Sequence, residues 1–446
     1  MKFPVATVSS KALSVKALVA MILVLIFATA PVSQIQAAQS GGENAEKQVE
    51  KKKKRRVKRA QTLRPKIYKK LEEARVLADE KKYDEALGSL TSLEKRKRNS
   101  YEKAMTHNMF AYVYFNQENY DAAIQSYEKV VASKKIPDSL MQGTLYSIAK
   151  LYLMQENYQA ALKPLNEWFS LVEKPSGEAH ILRAQIYFQL EQYQKALPDV
   201  KVAIAGEKAK GKNPRENWLM LERAVYYQNK DFKALARCLQ DLATLYPKAQ
   251  YWVQLAAVYS ELNMPLKELS ALEAAHEQNL LTNESELVNL AQALLGQEVP
   301  YKAAQIMADG MKAEQIEINA KNLSLLGDAW MIAKEYDNAI KVMTQAAKMS
   351  SSGKDFYKLA QIHTERQEWD EALSNVDSAL NDADFKKKAD AQVLRGLVLF
   401  NLDNLADAQG AFEAASEFES AEKMANQWLA YIEGERKRRE YMAGTL

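Results

Sequence analysis

One short phrase recurs along the chain: an aromatic residue, a charged or amide pair, then alanine followed by an aliphatic. It reads YDEAL at 83–87, YDAAI at 120–124, YQAAL at 158–162, YQKAL at 193–197, YDNAI at 336–340, WDEAL at 369–373 and, relaxed, LADAQ at 405–409. Its alanines are Ala86, Ala123, Ala161, Ala196, Ala339, Ala372 and Ala408. Weaker copies place Leu235, Glu268 and Ala303 or Ala304 at the same point, and the mean spacing is near 36 residues. About nine residues ahead of each phrase, a small residue stands three positions before a larger one. The pairs are Ala111 with Tyr114, Ala149 with Tyr152, Ala184 with Tyr187, Ala256 with Tyr259, Gly327 with Trp330, Ala360 with His363 and Gly396 with Leu399.

Spacings of three and four mark one face of a helix, so each unit predicts two helices, A and B, joined by a short turn. The small residue lets helix A approach helix B of its own unit. The alanine of the phrase lets helix B pack on the next helix A, where a larger side chain would overpack the contact. The aromatic that opens the phrase fills the gap at the A–B turn. Asn119 and Asn157, directly ahead of it, are expected to take the left-handed backbone conformation that asparagine tolerates, whereas Glu335 in the same place lacks that preference.

This pattern resembles the tetratricopeptide repeat, in which W-x2-L-G-x2-Y, then A-x3-F, then A and P describe two antiparallel helices in about 34 residues. Fuller matches are W-V-Q-L-A-A-V-Y at 252–259 and L-L-G-D-A-W at 325–330, and Tyr246-Pro247 supplies the terminal proline once. The resemblance implies an all-α fold: a tetratricopeptide-type α-solenoid of about ten antiparallel helix pairs in a right-handed superhelix over 65–418, with a C-terminal capping helix and basic tail in 419–446. One unit cannot bury its own apolar stripe, so stacking is obligatory. Met424, Trp428 and Ile432, four apart, form the apolar side expected to meet the last repeat. Arg436, Lys437, Arg438 and Arg439 complement the negative carboxyl end of that helix.

Ahead of the repeats lies a different kind of sequence. Lys2, Lys11 and Lys16 precede the apolar stretch ALVAMILVLIFATA at 17–30, and small residues follow at Ala37 and Ala38. Together they read as a secretory signal peptide over 1–37, cleaved after Ala37. The alternative is a retained anchor in the inner membrane, extended by Pro31 to Ala38 towards the ~20 residues of a span. In both cases the bulk of the chain is expected outside the cytoplasm. Residues 38–64 lack apolar periodicity and are expected to be disordered. They carry the basic run Lys51, Lys52, Lys53, Lys54, Arg55, Arg56, Lys58 and Arg59. Two readings of that run stay open, a solvated tail or adhesion to an anionic membrane surface or acidic partner at ~1 kcal/mol per charge. Nucleic acid is not expected as a partner. The net charge of +4 is a cancellation between this basic amino-terminal region and a mildly acidic body.

Composition supports helices and leaves little room for chemistry. With only 15 glycines and 11 prolines in 446 residues, a fold needing a turn every ~10 residues is disfavoured. A single cysteine, Cys238, excludes an intrachain disulfide and a CxxC zinc site, and reads as a small buried hydrophobe. The four histidines fall on helices of different repeats, and His363 sits where the pattern wants a bulky core residue. No phosphate loop, dinucleotide fingerprint, zincin or nucleophile-elbow motif occurs. No catalytic, cofactor-binding or metal-ligating residue is therefore assigned, and an enzyme is not expected.

What the repeat family implies instead is a protein-binding groove lined by helix A. Carrying its pattern onto this sequence selects Asn108, Tyr112, Phe115, Tyr146 and Lys150, then Gln185, Phe188, Tyr227 and Gln228. The set is rich in aromatics and amides, the composition of a surface that takes an extended or helical peptide. Towards the carboxyl end the same positions are Asp328, Tyr357, Gln361, Glu365 and Asn401.

The stretches YWVQLAAVYSELNM at 251–264, SALEAAHEQNLL at 270–281, VPYKAAQIMADGMKAEQI at 299–316 and KNLSLLGDAWMIAKEYDNAI at 321–340 resemble the periplasmic tetratricopeptide proteins encoded with some TonB systems of Gram-negative bacteria. Those accompany the ExbB/ExbD/TonB motor, which uses the proton gradient to drive uptake of iron chelates. The resemblance implies a periplasmic scaffold that holds TonB, an ExbB/ExbD-type motor component or a related envelope protein. The basic arm at 51–59 departs from that pattern. The competing reading is an assembly factor or chaperone-like adaptor for outer-membrane or surface proteins. The oligomeric state is left open.

Overall fold

The computed structural model describes residues 62–443. The expected export segment and the basic run at 51–59 lie outside them. The described residues form helices joined by short turns, without strands among them, and no helix is long and apolar enough to cross a membrane. Contacts group them into two compact units, one ending at Lys230 and the other starting at Asp231.

The first unit holds α1 (Pro65–Asp79), α2 (Tyr83–Glu94), α3 (Ser100–Asn116), α4 (Tyr120–Val131), α5 (Asp138–Met154), α6 (Tyr158–Leu171), α7 (Gly177–Gln189), α8 (Tyr193–Lys208) and α9 (Glu216–Gln228). The second holds α10 (Phe232–Leu245), α11 (Ala249–Glu261), α12 (Pro265–Glu277), α13 (Glu284–Gly296), α14 (Pro300–Lys312), α15 (Ala320–Ile332) and α16 (Tyr336–Ser350). It continues with α17 (Gly353–Glu365), α18 (Trp369–Asn381), α19 (Lys388–Asn401), α20 (Leu405–Ser416) and α21 (Glu422–Met442). Odd-numbered helices up to α19 are the A members and even-numbered helices the B members. Within each unit, a helix packs on its neighbours in sequence.

The small residues do what their spacing requires. All seven alanines of the phrase are fully buried, as are Ala111, Ala149, Ala184 and Ala360 of helices A. Gly396 comes so close to helix B that a Cβ built on it would lie 2.6 Å from Cζ of Phe412. The degenerate copies between 249 and 312 form the same hairpins, with α12 and α14 opened by Pro265 and Pro300 instead of an aromatic. A proline at the first helical position costs no hydrogen bond and is pre-set for the helix.

The turns differ from the expected arrangement by one residue. Left-handed backbone falls not on Asn119 and Asn157 but on Glu118 and Glu156, at φ 59 and 57. The same place is held by Lys81, Glu191 and Lys230, and by Asn263, Glu298, Lys334, Gln367 and Asp403. The following N–H then reaches back five residues, Asn119 to the carbonyl of Tyr114 and Asn157 to that of Tyr152, closing the end of helix A. Asn119 and Asn157 are N-caps of helix B, their side chains accepting from the N–H of Ala122 and Ala160 at 3.2 and 3.1 Å. Asparagine is selected there for its acceptor and not for its backbone.

The capping helix α21 packs on α20 through Trp428 and Ile432 of the expected stripe, with Met424 the exception. Ala425 and Ile432 are buried, with Trp428 and Leu429 packed beside them, whereas Met424 is 52% exposed. Trp428 lies flat on Phe412, ring planes within 1° and centroids 5.4 Å apart. Cys238 and His363 are both buried, and His363 Nδ1 lies 2.7 Å from a carboxylate oxygen of Glu368.

Candidate functional site

All nine residues selected for the groove lie on helices A of the first unit: Asn108, Tyr112 and Phe115 on α3, Tyr146 and Lys150 on α5, Gln185 and Phe188 on α7, Tyr227 and Gln228 on α9. Their surroundings divide them. Tyr112 is half-buried, and its hydroxyl donates to the carboxylate of Asp79 at the end of α1, so it ties two successive helices A together. Burial, and then the Asp79 charge, raise its phenol pKa, which keeps it a donor. Arg75 Nη1 donates to the same carboxylate at 2.8 Å.

Tyr146 leans on Trp168 of α6, centroids 5.1 Å apart, with Lys150 Nζ 4.9 Å above its ring. Burial, helped by the charge of Glu178, pushes the Tyr146 phenol up to about 12. Trp168 meets Phe169 edge-on, and the Arg183 guanidinium covers the Phe169 ring at 3.5 Å. Behind them the buried Asp199 accepts two hydrogen bonds of 2.7 Å from Arg183 and has His180 Nδ1 at 2.6 Å. Tyr146 and Lys150 thus stand on a shelf braced by α6, α7 and α8.

The shelf was not visible in the repeat phrase. The available signal was Asp199 itself, an acid three residues after Ala196 where Ser89 and Ser126 follow Ala86 and Ala123. An acid on that buried stripe demands a cation from a neighbouring helix.

Two of the selected aromatics serve packing. Phe188 is 8% exposed and edge-on to Tyr193, 5.2 Å away, so it closes its own hairpin and is removed from the groove set. Phe115 sits likewise against Tyr120 at 6.1 Å and is half-buried. Both lie three residues beyond a groove position, which turns them about 60° around the helix towards helix B. Lys150 and Tyr227 remain open, Tyr227 at 51% exposure, while Asn108, Gln185 and Gln228 are partly exposed.

On the helices A of the second unit the corresponding acid is not free. Asp328 holds Lys358 Nζ at 2.6 Å, and Lys358 also donates to Ser324 Oγ at 2.9 Å. Ser324 in turn donates to the buried Asp355 at 2.8 Å. The charges of α15 and α17 neutralise one another. Among the described residues no group of three or more histidine, cysteine or acidic side chains is placed to hold a metal.

The family model for the tetratricopeptide repeat matches residues 71–139, and that for anaphase-promoting complex, cyclosome, subunit 3 matches residues 116–198. No curated protein matches the chain. Among solved structures, Naa15/Naa10 bound to HypK-THB aligns at 13% identity and a TM-score of 0.40, over 85% of this chain and 68% of that one. YrrB, described as a TPR protein with an unusual peptide-binding site, aligns at 15% identity and 0.36, over 43% and 97%. A tetratricopeptide repeat protein from Parabacteroides merdae aligns at 15% and 0.34, over 64% and 93%.

Proposed function

We propose that the chain, which matches the tetratricopeptide-repeat model over 71–139 and the anaphase-promoting-complex subunit model over 116–198, is a scaffold for protein–protein interaction whose partner lies along the helix-A face of the first unit. The observation that carries this reading is the shelf of Tyr146 and Lys150, braced by Trp168, Phe169, Arg183 and Asp199. A rigid aromatic with a cation above it is suited to a partner segment bearing apolar and acidic side chains. Tyr112 and Tyr227 extend the same face.

In the finer reading, the chain is an exported adaptor of the Gram-negative envelope that holds TonB or an ExbB/ExbD-type component in the periplasm. Support for it comes from the export-type amino terminus and from the sequence resemblance between 251 and 340. The basic run at 51–59 would add adhesion to anionic lipid.

The test is crosslinking in living cells from photoreactive residues at 112, 150 and 227. Capture of TonB or its motor proteins, with growth failure confined to chelated iron in a deletion strain, is the expected result. Capture of outer-membrane clients with normal iron uptake would instead establish the assembly-factor reading. The double variant Lys150→Glu, Tyr227→Ser should keep its helicity and lose capture; unchanged capture rejects the face. Mass spectrometry of the mature chain separates cleavage after Ala37 from a retained anchor.

A further inference from the structure

The second unit contains a cleft of about 350 Å³ between α10, α11 and α12. Gln240 and Thr244 of α10, Trp252, Leu255 and Tyr259 of α11, and Lys267, Ser270 and Ala271 of α12 line it. Its volume falls in the range of small-molecule sites, roughly 300–1,000 Å³.

Thr244 and Ser270 add two hydroxyls at the edge of the wall, that of Ser270 donating to the carbonyl of Leu266 at 2.8 Å, and the polar groups between them present donors. Gln240 Nε2 donates to the Tyr259 hydroxyl oxygen at 2.8 Å, which leaves the phenolic proton to be given elsewhere. Burial raises the Tyr259 pKa, so that proton is retained. The Trp252 Nε1–H is shielded from solvent and has no acceptor among the described residues. Indole nitrogen can only donate, so no rotation of its own turns that group into an acceptor for a neighbour. Lys267 Nζ stands 5.7 Å from the Tyr259 ring centroid, and its side chain is exposed. Leu255 and Ala271 supply the apolar remainder.

Three donors, one of them an ammonium, over an apolar and aromatic floor describe the counterpart of a single negative charge on a small apolar body. One ammonium balances a carboxylate; a phosphate carrying nearly two charges would leave one unmet in a partly dry site. We propose that this cleft binds a small organic acid, its carboxylate held by Lys267, Tyr259 and Trp252. The inference is independent of the partner proposed for the first unit, because no residue is shared.

The test uses the full chain and the indole N–H signals of its tryptophans, with the Trp252 signal assigned by Trp252→Phe. Benzoate and glutarate are titrated against the neutral isostere benzamide, inorganic phosphate, and a blocked peptide with one internal glutamate. Benzoate or glutarate should shift the Trp252 signal while benzamide leaves it in place. Lys267→Met, a surface change that leaves the fold untouched, should weaken that binding about tenfold, and Tyr259→Phe severalfold, as expected for lost hydrogen bonds to a charged group. Equal binding of benzamide, tighter binding of phosphate, or no shift with either acid overturns the proposal. Binding of the peptide alone overturns it as well, by assigning the cleft to a protein side chain.

Discussion

Gly396→Ala offers a direct measure of how closely a repeat hairpin must pack. The added Cβ would meet Cζ, Cε2 and Cε1 of Phe412 at 2.6, 2.7 and 2.8 Å. That ring cannot retreat, because it is fully buried and lies flat against Trp428 of the cap. Overpacking of this kind costs ~1–3 kcal/mol, while replacing a helical glycine by alanine returns about 1 kcal/mol of backbone entropy. Gly410 of α20, exposed and with nothing within 4 Å of its built Cβ, provides the control that contains only the second effect. The difference between Gly396→Ala and Gly410→Ala is therefore expected at ~1–3 kcal/mol, against Gly396→Ala. Gly327→Ala should fall between them, since its contacts are the Cγ, Sδ and Cε of Met343, an adaptable side chain. Urea denaturation followed by hydrogen exchange on α19–α21 reads the effect where it arises. If Gly396→Ala is as stable as Gly410→Ala, the close-approach account of the small residue is wrong.

Three further outcomes follow from single contacts. Glu102 is held at about 2, chiefly by its hydrogen bonds to Arg64, so the stability it contributes is present above the unfolded carboxylate's pKa of about 4.3 and lost as pH falls through about 2. Acid titration by circular dichroism should show that loss in the first unit, and Glu102→Gln should remove its pH dependence. Asp199→Ala should cost ~3–5 kcal/mol by stranding Arg183, with part recovered in the double variant carrying Arg183→Met; strict additivity in denaturant melts would reject the coupling. At the A–B turn, Glu118→Gly should stabilise by up to about 1 kcal/mol, because glycine pays no penalty for φ 59. Asn119→Ala should instead lose about 1 kcal/mol of capping; a stabilised Asn119→Gly would restore the left-handed assignment to Asn119.

The repeat unit was legible because it is a steric requirement. Ala86 or Ala372 cannot be enlarged without parting two helices, so the sequence at those places is constrained and their burial is complete. Other positions specify less. Glu118 and Lys334 carry no sign of a left-handed backbone, since the helix-closing hydrogen bond from the next N–H fixes it whatever the side chain. Phe188 and Tyr112 occupy neighbouring registers of helix A, and a turn of about 60° around that helix separates the one covered by helix B from the one left at the face. On α21 the spacing of four places Trp428 and Ile432 against the last repeat as expected, but Ala425 and Leu429 fill the contact that it assigned to Met424. Between 249 and 312 the phrase fades because Pro265 and Pro300 start their helices by another device. The second-unit cleft had no sequence signal, being assembled from residues of three helices that no motif links.

Extensive contacts among the described residues of either unit run between a helix and those one or two places along the sequence, without a central core shared by distant segments. A gene that encodes such a chain can gain or lose one period of near 36 residues and leave every kind of contact in place. An insertion of any other length within a helix would put the small residues out of register with the faces they serve. Length is thus a heritable variable that changes in whole steps, and the span available to a partner can be altered by tandem duplication before any side chain is redesigned.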